Sequence, residues 1–202
     1  MNQIIESHDE VLKFWFGRVE ETIVPTEHRA KIWFGEDEEI DAEIKTRFST
    51  HLDAAFTGEL DVWEKTPRGK LGLIIVLDQF ARHIYRNSDQ AFSQDAKALS
   101  ICLEGMQHEA DHALSLIERV FYYFPLLHSE KIRYQEQSVR AYRTLADLAF
   151  SETRVIFDSF LKFANHHYSI IHRFGRFPQR NIALHRESSK AEMAFLREIE
   201  ER

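Results

Sequence analysis

Four polar side chains follow the most apolar stretch of the chain at helical spacing. They are Asp78, Gln79, Arg82 and Arg86, and the apolar stretch is 71–77. Asp78 and Arg82 are four residues apart, so they can pair on one helix face, and guanidinium groups there suit a bound carboxylate or phosphate. An ion pair on the helix surface would give the same pattern. Because a helix that is apolar all round is buried, its polar end either emerges into solvent or lines a pocket.

A second group of residues with chemical potential surrounds a very aromatic helix end. Glu118 and Arg119 precede the aromatic residues, and His128 and Glu130 follow them. A histidine beside carboxylates could transfer protons or bind a metal. In the local alternative, which is the simpler one, Ser129 caps the next helix and Glu130 favours the positive end of that helix.

The third group lies in a basic segment, 159–186, which contains five lysines and arginines and no aspartate or glutamate. Its candidates for binding an anion are Arg173, Arg176, Arg180 and Asn181. Arginines held on a turn can bind phosphate or carboxylate through two N–H groups. Alternatively, these arginines pair with the acidic surplus of the chain, since structural ion pairs imitate functional clusters.

The segment 108–112 reads HEADH and satisfies the H-E-x-x-H pattern of zinc peptidases. A zinc site of this type needs both histidines on one face of one helix. Gly105 and the polar residues after Met106 indicate a helix end, and Asp111 places a charge where such helices are apolar. We therefore predict no metal site in this segment, and the other candidate groups do not require a metal.

The composition argues against several classes of protein. The single cysteine, Cys102, rules out a disulfide framework, and no glycine-rich phosphate loop is present, so no cofactor is predicted. The net charge of −7 argues against nucleic acid, which leaves RNA as a distant third hypothesis based on the basic segment. The N-terminus has no features of a secretory signal, and no apolar run approaches the roughly 20 residues of a bilayer span. We expect no membrane contact and a cytoplasmic location.

Apolar residues recur every three to four positions along most of the chain, which predicts helices. Capping boxes are predicted at Ser7–Glu10 and Ser189–Glu192, and Ser129 is expected to open a helix. The predicted helices are 7–16, 27–33, 37–57, 68–86, 89–106, 112–124, 130–149, 152–174 and 189–200. No segment reads as a strand and no linker divides the chain. We therefore predict a single all-helical domain that spans 1–202.

Three stretches carry a recognisable pattern, namely LDQFxRxIYR at 77–86, ERxFxYxPLxHSE at 118–130 and FGRFPxRN at 174–181, with FWFG at 14–17 before them. Together and in this order they resemble the bacterial domain-of-unknown-function family nine-two-four. The resemblance implies an all-α superhelix of antiparallel helix pairs, similar to tetratricopeptide proteins, and it implies no reaction. Against the usual family pattern, Ala81 replaces a proline, His83 an asparagine and Leu127 a glutamate, and the last change weakens a carboxylate-based mechanism there.

We expect the three groups to converge on one pocket beside the buried helix. Arg82, Arg119, Arg176 and Arg180 would then hold a small anionic ligand, a phosphate or a carboxylate. The alternative is a peptide-binding module, whose concave groove would take an acidic peptide. Whether a reaction is catalysed, and whether the chain forms a homo-oligomer, stay open from the sequence.

Overall fold

The computed structural model describes residues 7–17 and 27–201, which fold into helices joined by short turns. The α-helices are α1 (His8–Phe16), α2 (Glu27–Phe34), α3 (Glu38–Thr57), α4 (Pro67–Ile74), α5 (Ala81–Ile84), α6 (Asp95–Gln107), α7 (Leu116–Tyr122), α8 (Phe124–Leu127), α9 (Ile132–Leu148), α10 (Arg154–Phe174) and α11 (Lys190–Glu200). Short 3₁₀ helices occupy Asp61–Lys65, Asp89–Phe92, Ala110–Ala113 and Pro178–Arg180. These two ranges contain no strand, so the predicted all-α class is confirmed. Within them, every helix is too short or too polar to cross a bilayer.

The central element of the core runs from 67 to 84 and changes its helical type midway. Thr66 caps its first turn, and the proline that follows needs no N–H partner at that position. Residues Ile75–Phe80 then form a π-helical turn between α4 and α5. Such turns inside α-helices are rare and occur frequently at functional sites. This one carries Asp78 and Gln79, which are both buried. The sequence predicts a regular helix here, and the π turn is a correction to that prediction.

Aromatic side chains pack the neighbouring helices onto this central element. Phe48 of α3 stacks on Phe80 with ring centroids 4.6 Å apart. Trp15 of α1 contacts the same Phe80 at 5.8 Å and also Phe121 of α7 at 5.5 Å, measured between ring centroids. Burial of one such side chain contributes on the order of 2–3 kcal/mol. These rings therefore fix the position of the helix that carries Asp78.

Helices α9 and α10 form an antiparallel pair. Arg154 pairs with Asp147 at 3.2 Å, close to the turn that joins the two helices. Tyr142 stacks on Phe160 with ring centroids 6.4 Å apart, further from that turn on both helices, which is the pattern of antiparallel neighbours. This is the kind of helix pair that the family resemblance implies. Whether the whole chain is a tetratricopeptide-like superhelix stays a prediction, as does the single domain over 1–202.

A smaller apolar cluster holds α11 against the end of α10. It contains Ile170, Ile171, Phe177 and Phe195, and it is separate from the main core. The main core instead collects side chains from α1 to α10. The C-terminal helix is therefore attached through a limited set of contacts.

The predicted capping box is present at α11 and absent at α1. The Glu192 N–H donates to Ser189 Oγ at 3.2 Å, and the Ser189 N–H donates to Glu192 Oε2 at 2.7 Å. Ser7 occupies the cap position of α1, but its side chain accepts no capping hydrogen bond from the described residues. The prediction that Ser129 opens a helix is wrong, because α9 begins at Ile132 after the cap residue Lys131.

The segment 108–112 does not form one helix. Helix α6 ends at Gln107, and Glu109 takes a left-handed conformation with φ 55° before the next 3₁₀ turn. The two histidines of the segment therefore lie on different elements, and the geometry of a zinc peptidase motif is not formed. Among the described residues, no three histidine, cysteine, aspartate or glutamate side chains are grouped to hold a metal ion.

Candidate functional site

The buried carboxylate of Asp78 is the centre of a polar cluster inside the apolar core. Its Oδ1 lies 2.8 Å from His128 Nδ1 and 3.3 Å from Arg82 Nη2, and Gln79 Nε2 donates to Oδ2. Burial alone would raise the pKa of Asp78, but the positive charge of Arg82 and the contact with His128 lower it below its ordinary value. Asp78 is therefore a carboxylate in the folded protein. The π turn places it where α5 and the segment after α8 can both reach it.

The guanidinium of Arg82 extends the cluster to a second carboxylate and a second arginine. Arg82 Nη2 donates to Asp95 Oδ1 at 3.0 Å, and Arg180 Nη1 donates to Asp95 Oδ2 at 3.2 Å. Both guanidinium groups also lie over the ring of Phe92, at 5.2 Å and 4.7 Å. Burial lowers the pKa of Arg180 to about 10, so it stays positive at neutral pH. With Asp78, this set holds two negative and two positive charges.

A separate ion pair lies just beyond the end of α5. Arg86 donates to Asp41 of α3 through Nε at 2.6 Å and through Nη2 at 2.8 Å. His83 Nδ1 contacts the same carboxylate at 2.6 Å. Bidentate pairs of this kind fix the guanidinium plane. Arg86 Nη1 donates no hydrogen bond to any residue of 7–17 or 27–201. Its two N–H groups therefore have no acceptor among the described residues.

These two sets of charges border one recess of about 210 Å³. Its lining consists of Trp33, Phe34, Gly35, Glu36, Gln79, Arg82, His83, Arg86, Phe124, His128 and Phe163. The aromatic members come from α2, α8 and α10, and the polar members come mostly from the central helix. The recess thus combines six polar or charged side chains with an aromatic wall, and a concave space with convergent polar groups is a candidate small-molecule site.

His128 is held in one orientation on the wall of this recess. Burial lowers the pKa of His128 below its ordinary value, although the charge of Asp78 opposes the shift, so the ring is neutral at pH 7. The contact of Nδ1 with the Asp78 carboxylate assigns the proton to that nitrogen. Nε2 is then the proton acceptor of the ring. A neutral histidine fixed by a buried carboxylate can accept a hydrogen bond or a proton from a bound ligand.

The structure brings five of the predicted site residues to the recess or directly behind its wall. Gln79, Arg82, Arg86 and His128 line it, and Asp78 lies behind His128. Arg180 supports this arrangement, since its Nη2 donates to the His128 carbonyl at 3.0 Å. The first predicted group and part of the second therefore come together.

Other members of the second and third groups have local structural contacts away from the recess. Glu118 completes the capping box of α7 with Ser115 and pairs with Arg68 at 2.6 Å. Arg119 donates to the carbonyls of His112 and Leu114 at 2.8 Å and 3.1 Å. These contacts close the turn before α7, so Arg119 does not hold the ligand as expected.

Glu130 and Asn181 fix the loop that follows α10. Glu130 Oε1 accepts a hydrogen bond from the Phe177 N–H at 2.8 Å, and both Glu130 oxygens accept from Arg186. Asn181 is buried; its Nδ2 donates to Ser188 Oγ and its Oδ1 accepts from Arg186 Nε, both at 3.0 Å. Both residues therefore have partners within the protein.

The remaining two arginines lie near the start of α11. Arg176 donates to Glu192 through Nε at 2.7 Å and through Nη2 at 3.0 Å. Arg173 lies over the ring of Phe174 at 4.7 Å. The expected convergence of Arg82, Arg119 and Arg176 is therefore wrong, because Arg119 and Arg176 serve helix ends elsewhere.

Sequence reasoning missed two carboxylates that orient the recess. Asp41 and Asp95 lie in the first turns of α3 and α6, where acidic residues are common for a local reason, so nothing in the pattern singled them out. His83 could have been found, because the predicted helix 68–86 places it three residues before Arg86 on one face.

The protein is therefore an all-α protein with a candidate ligand site, a small recess in which one histidine and one arginine are held in fixed orientations. A family model described as "Bacterial protein of unknown function (DUF924)" matches residues 11–200, and the chain belongs to this family. The family resemblance stated from the sequence is thus confirmed. A solved structure of a protein of unknown function from Agrobacterium tumefaciens is similar, with 30% identity, a TM-score of 0.77, and coverage of 95% of this chain and 97% of that one. A comparison with curated proteins gives no match.

Proposed function

We propose that the recess binds a small ligand through one anionic head group, and that a carboxylate fits it best. The observation that carries this proposal is the pair of oriented groups that both line the recess. Arg86 is fixed by Asp41 with Nη1 unused, and His128 is fixed by Asp78 with Nε2 outward from that contact. A carboxylate accepts from Arg86 Nη1. Its hydrogen bond with His128 Nε2 requires one proton between the two groups, which the ligand brings as the carboxylic acid or the pair takes up from water on binding.

The charge balance of the surroundings favours a monoanion over a phosphate dianion. Asp78 and Asp95 offset Arg82 and Arg180, and Asp41 offsets Arg86. Glu36 adds a negative charge to the lining. No surplus of positive charge therefore neutralises a dianion. Binding would depend on directional N–H donors in a partly desolvated recess, where charged hydrogen bonds are strong.

The same balance favours a small molecule over an acidic peptide. An acidic peptide needs several cations that can meet its carboxylates along an open groove. The arginines of this region instead have carboxylate partners of their own, as Arg82 and Arg180 do with Asp95. The proposal includes the cytoplasmic location, which suits the lone buried Cys102. It is a proposal of binding, and turnover is not part of it.

Titration with sodium butyrate, followed by the NMR signals of the His128 ring and the Arg86 guanidinium, tests this function. We expect saturable shifts at both side chains, with inorganic phosphate binding more weakly. Arg86→Lys removes the guanidinium group, which holds both Asp41 oxygens and leaves Nη1 for the ligand. Because hydrogen bonds to charged groups contribute about 1.5–3 kcal/mol, the affinity for butyrate should fall about tenfold or more.

The matched control is Arg176→Lys, which removes an equivalent bidentate pair with Glu192 outside the recess. Butyrate affinity should be unchanged in this variant. Equal losses in both variants, or phosphate binding more tightly than butyrate, would contradict the proposal.

A further inference from the structure

An apolar groove of about 440 Å³ lies next to the recess and shares two walls with it. Phe34, Ile156, Ser159, Phe160 and Phe163 line the groove. Phe34 and Phe163 also line the recess, so the two spaces meet at this pair of rings. The polar recess thus borders a larger space whose lining has one hydroxyl and four apolar side chains.

The two shared phenylalanines are unusually exposed for residues that contact each other. Phe34 is 52% exposed and Phe163 is 38% exposed, while their ring centroids are 6.4 Å apart. Phe160, which forms the floor, is 7% exposed and lies 6.0 Å from Phe34. Contiguous apolar surface that stays open in a folded chain often marks a binding site.

We propose that the recess and the groove form one site for an amphiphile, an unbranched alkyl chain that ends in a carboxylate. This inference rests on the proposed function, because it places the head group at Arg86 and His128. The chain would leave the recess across the rings of Phe34 and Phe163, which line both spaces, and lie along Ile156 of α10. The groove has about twice the volume of the recess, which fits a chain larger than its head group.

A second copy of this chain is the competing occupant of the groove. An apolar protein face would cover Phe34 and Phe163 but would leave Arg86 Nη1 and His128 Nε2 in a recess without a polar partner. An amphiphile places its carboxyl group at the polar side chains of the recess and its alkyl chain on the apolar groove. The adjacency of a polar recess and an apolar groove, joined by two shared rings, therefore favours a ligand over a protein contact.

Binding of butyrate, octanoate and dodecanoate as monomers, measured by calorimetry, tests the inference. We expect affinity to rise about two- to fourfold for each methylene that enters the groove, and to level off once the groove is filled. Octylammonium, which has the same chain length and a cationic head that Arg86 repels, should bind at least tenfold more weakly than octanoate.

The variant Ser159→Glu places a charge in the groove without touching the recess. Ser159 is exposed on α10, and its hydroxyl donates to the Val155 carbonyl. Ser169→Glu is the matched control, because Ser169 is exposed on the same helix and donates to the His166 carbonyl. Ser159→Glu should remove the gain from chain length, while butyrate still binds in the recess. Ser169→Glu should behave as the unaltered protein.

The outcomes separate this inference from the function on which it rests. If butyrate binds and affinity is flat with chain length, the amphiphile is excluded while the carboxylate site stands. If no carboxylate of any length binds, both fail. A dimer in sedimentation that Ser159→Glu dissociates, with no dependence on chain length, would assign the groove to a second copy and overturn the inference.

Discussion

The recess and the start of α11 each contain an arginine bound to a carboxylate that is itself enclosed, yet the two pairs differ in what surrounds them. Asp78 is fully buried, and Arg82 and His128 reach it from separate segments of the chain. Glu192 is held by Arg176 and by the cap residue Ser189, at the edge of the molecule. The first pair borders a cavity, whereas the second completes a helix N-terminus.

This difference shows which arginine pairs are candidates for function. An arginine whose carboxylate partner caps a helix already has a structural explanation, because the cap satisfies exposed N–H groups. An arginine pair inside an apolar core has no such explanation, since replacing a buried pair by apolar residues often costs nothing. Buried charge at a recess is therefore the stronger indication of a site, although both regions look alike in sequence.

Removal of Asp78 should produce the largest effect on stability. Asp78→Ala leaves the Arg82 guanidinium and the His128 ring buried without their shared partner, and breaking a buried pair in this way costs about 3–5 kcal/mol. Urea unfolding measures the loss. Asp78→Asn, which keeps the shape, serves if the alanine variant does not fold.

The control for this prediction is Glu192→Ala. The guanidinium of Arg176 is 32% exposed there and can be hydrated when its partner is removed. We expect a clearly smaller loss of unfolding free energy than for Asp78→Ala. Similar losses at both positions would show that the two regions do not differ in burial energetics.

The pH dependence of stability should report on His167, which lies between the two regions on α10. The ring centroid of His167 lies 4.3 Å from that of Phe163 and 5.3 Å from that of Phe177. Burial lowers the pKa of His167 to about 3. The unfolded chain takes up this proton near pH 6.5 and the folded chain only near pH 3. Acidification through this window therefore favours unfolding, by up to about 2 kcal/mol between pH 6.5 and 4.5.

The variant His167→Phe should remove this part of the acid-induced loss, because phenylalanine cannot take up a proton. Urea midpoints measured from pH 7 to 4.5 give the slope. His172→Phe, at an exposed position on the same helix, should keep the original slope. A slope that is unchanged by His167→Phe would show that the ring is hydrated in the folded protein.

The helices could be predicted from the sequence because periodic apolar residues and local caps are short-range signals. The start of α11 is an example, since Ser189 and Glu192 are three residues apart and bind each other. The π turn at Ile75–Phe80 could not be predicted in this way. The residue types of this turn are those of a regular buried helix. Only the packing around it distinguishes the π turn from an α-helix.

The candidate site could be predicted only in part, for a related reason. The helical spacing of Gln79, Arg82 and Arg86 in the sequence identified the half of the recess that a single chain segment supplies. Asp41 is 42 residues from its partner His83, and Asp95 is 13 residues from its partner Arg82. Only the fold brings these partners together. Composition, likewise, cannot tell Arg176 at a cap from Arg180 in the core.

The smallest predicted effect concerns the cap of α11 and tests whether the two regions are independent. Ser189→Ala removes the side-chain acceptor of the Glu192 N–H, which costs about 1 kcal/mol. Because α11 is attached through the small cluster of Ile170, Ile171, Phe177 and Phe195, the cost should appear as local opening. Amide hydrogen exchange in α11 should then accelerate about fivefold, while the amides of the π turn keep their protection. Faster exchange at Ile75–Phe80 as well would show that α11 and the recess open together. The two regions would then differ in their position in the fold and not in their local stability.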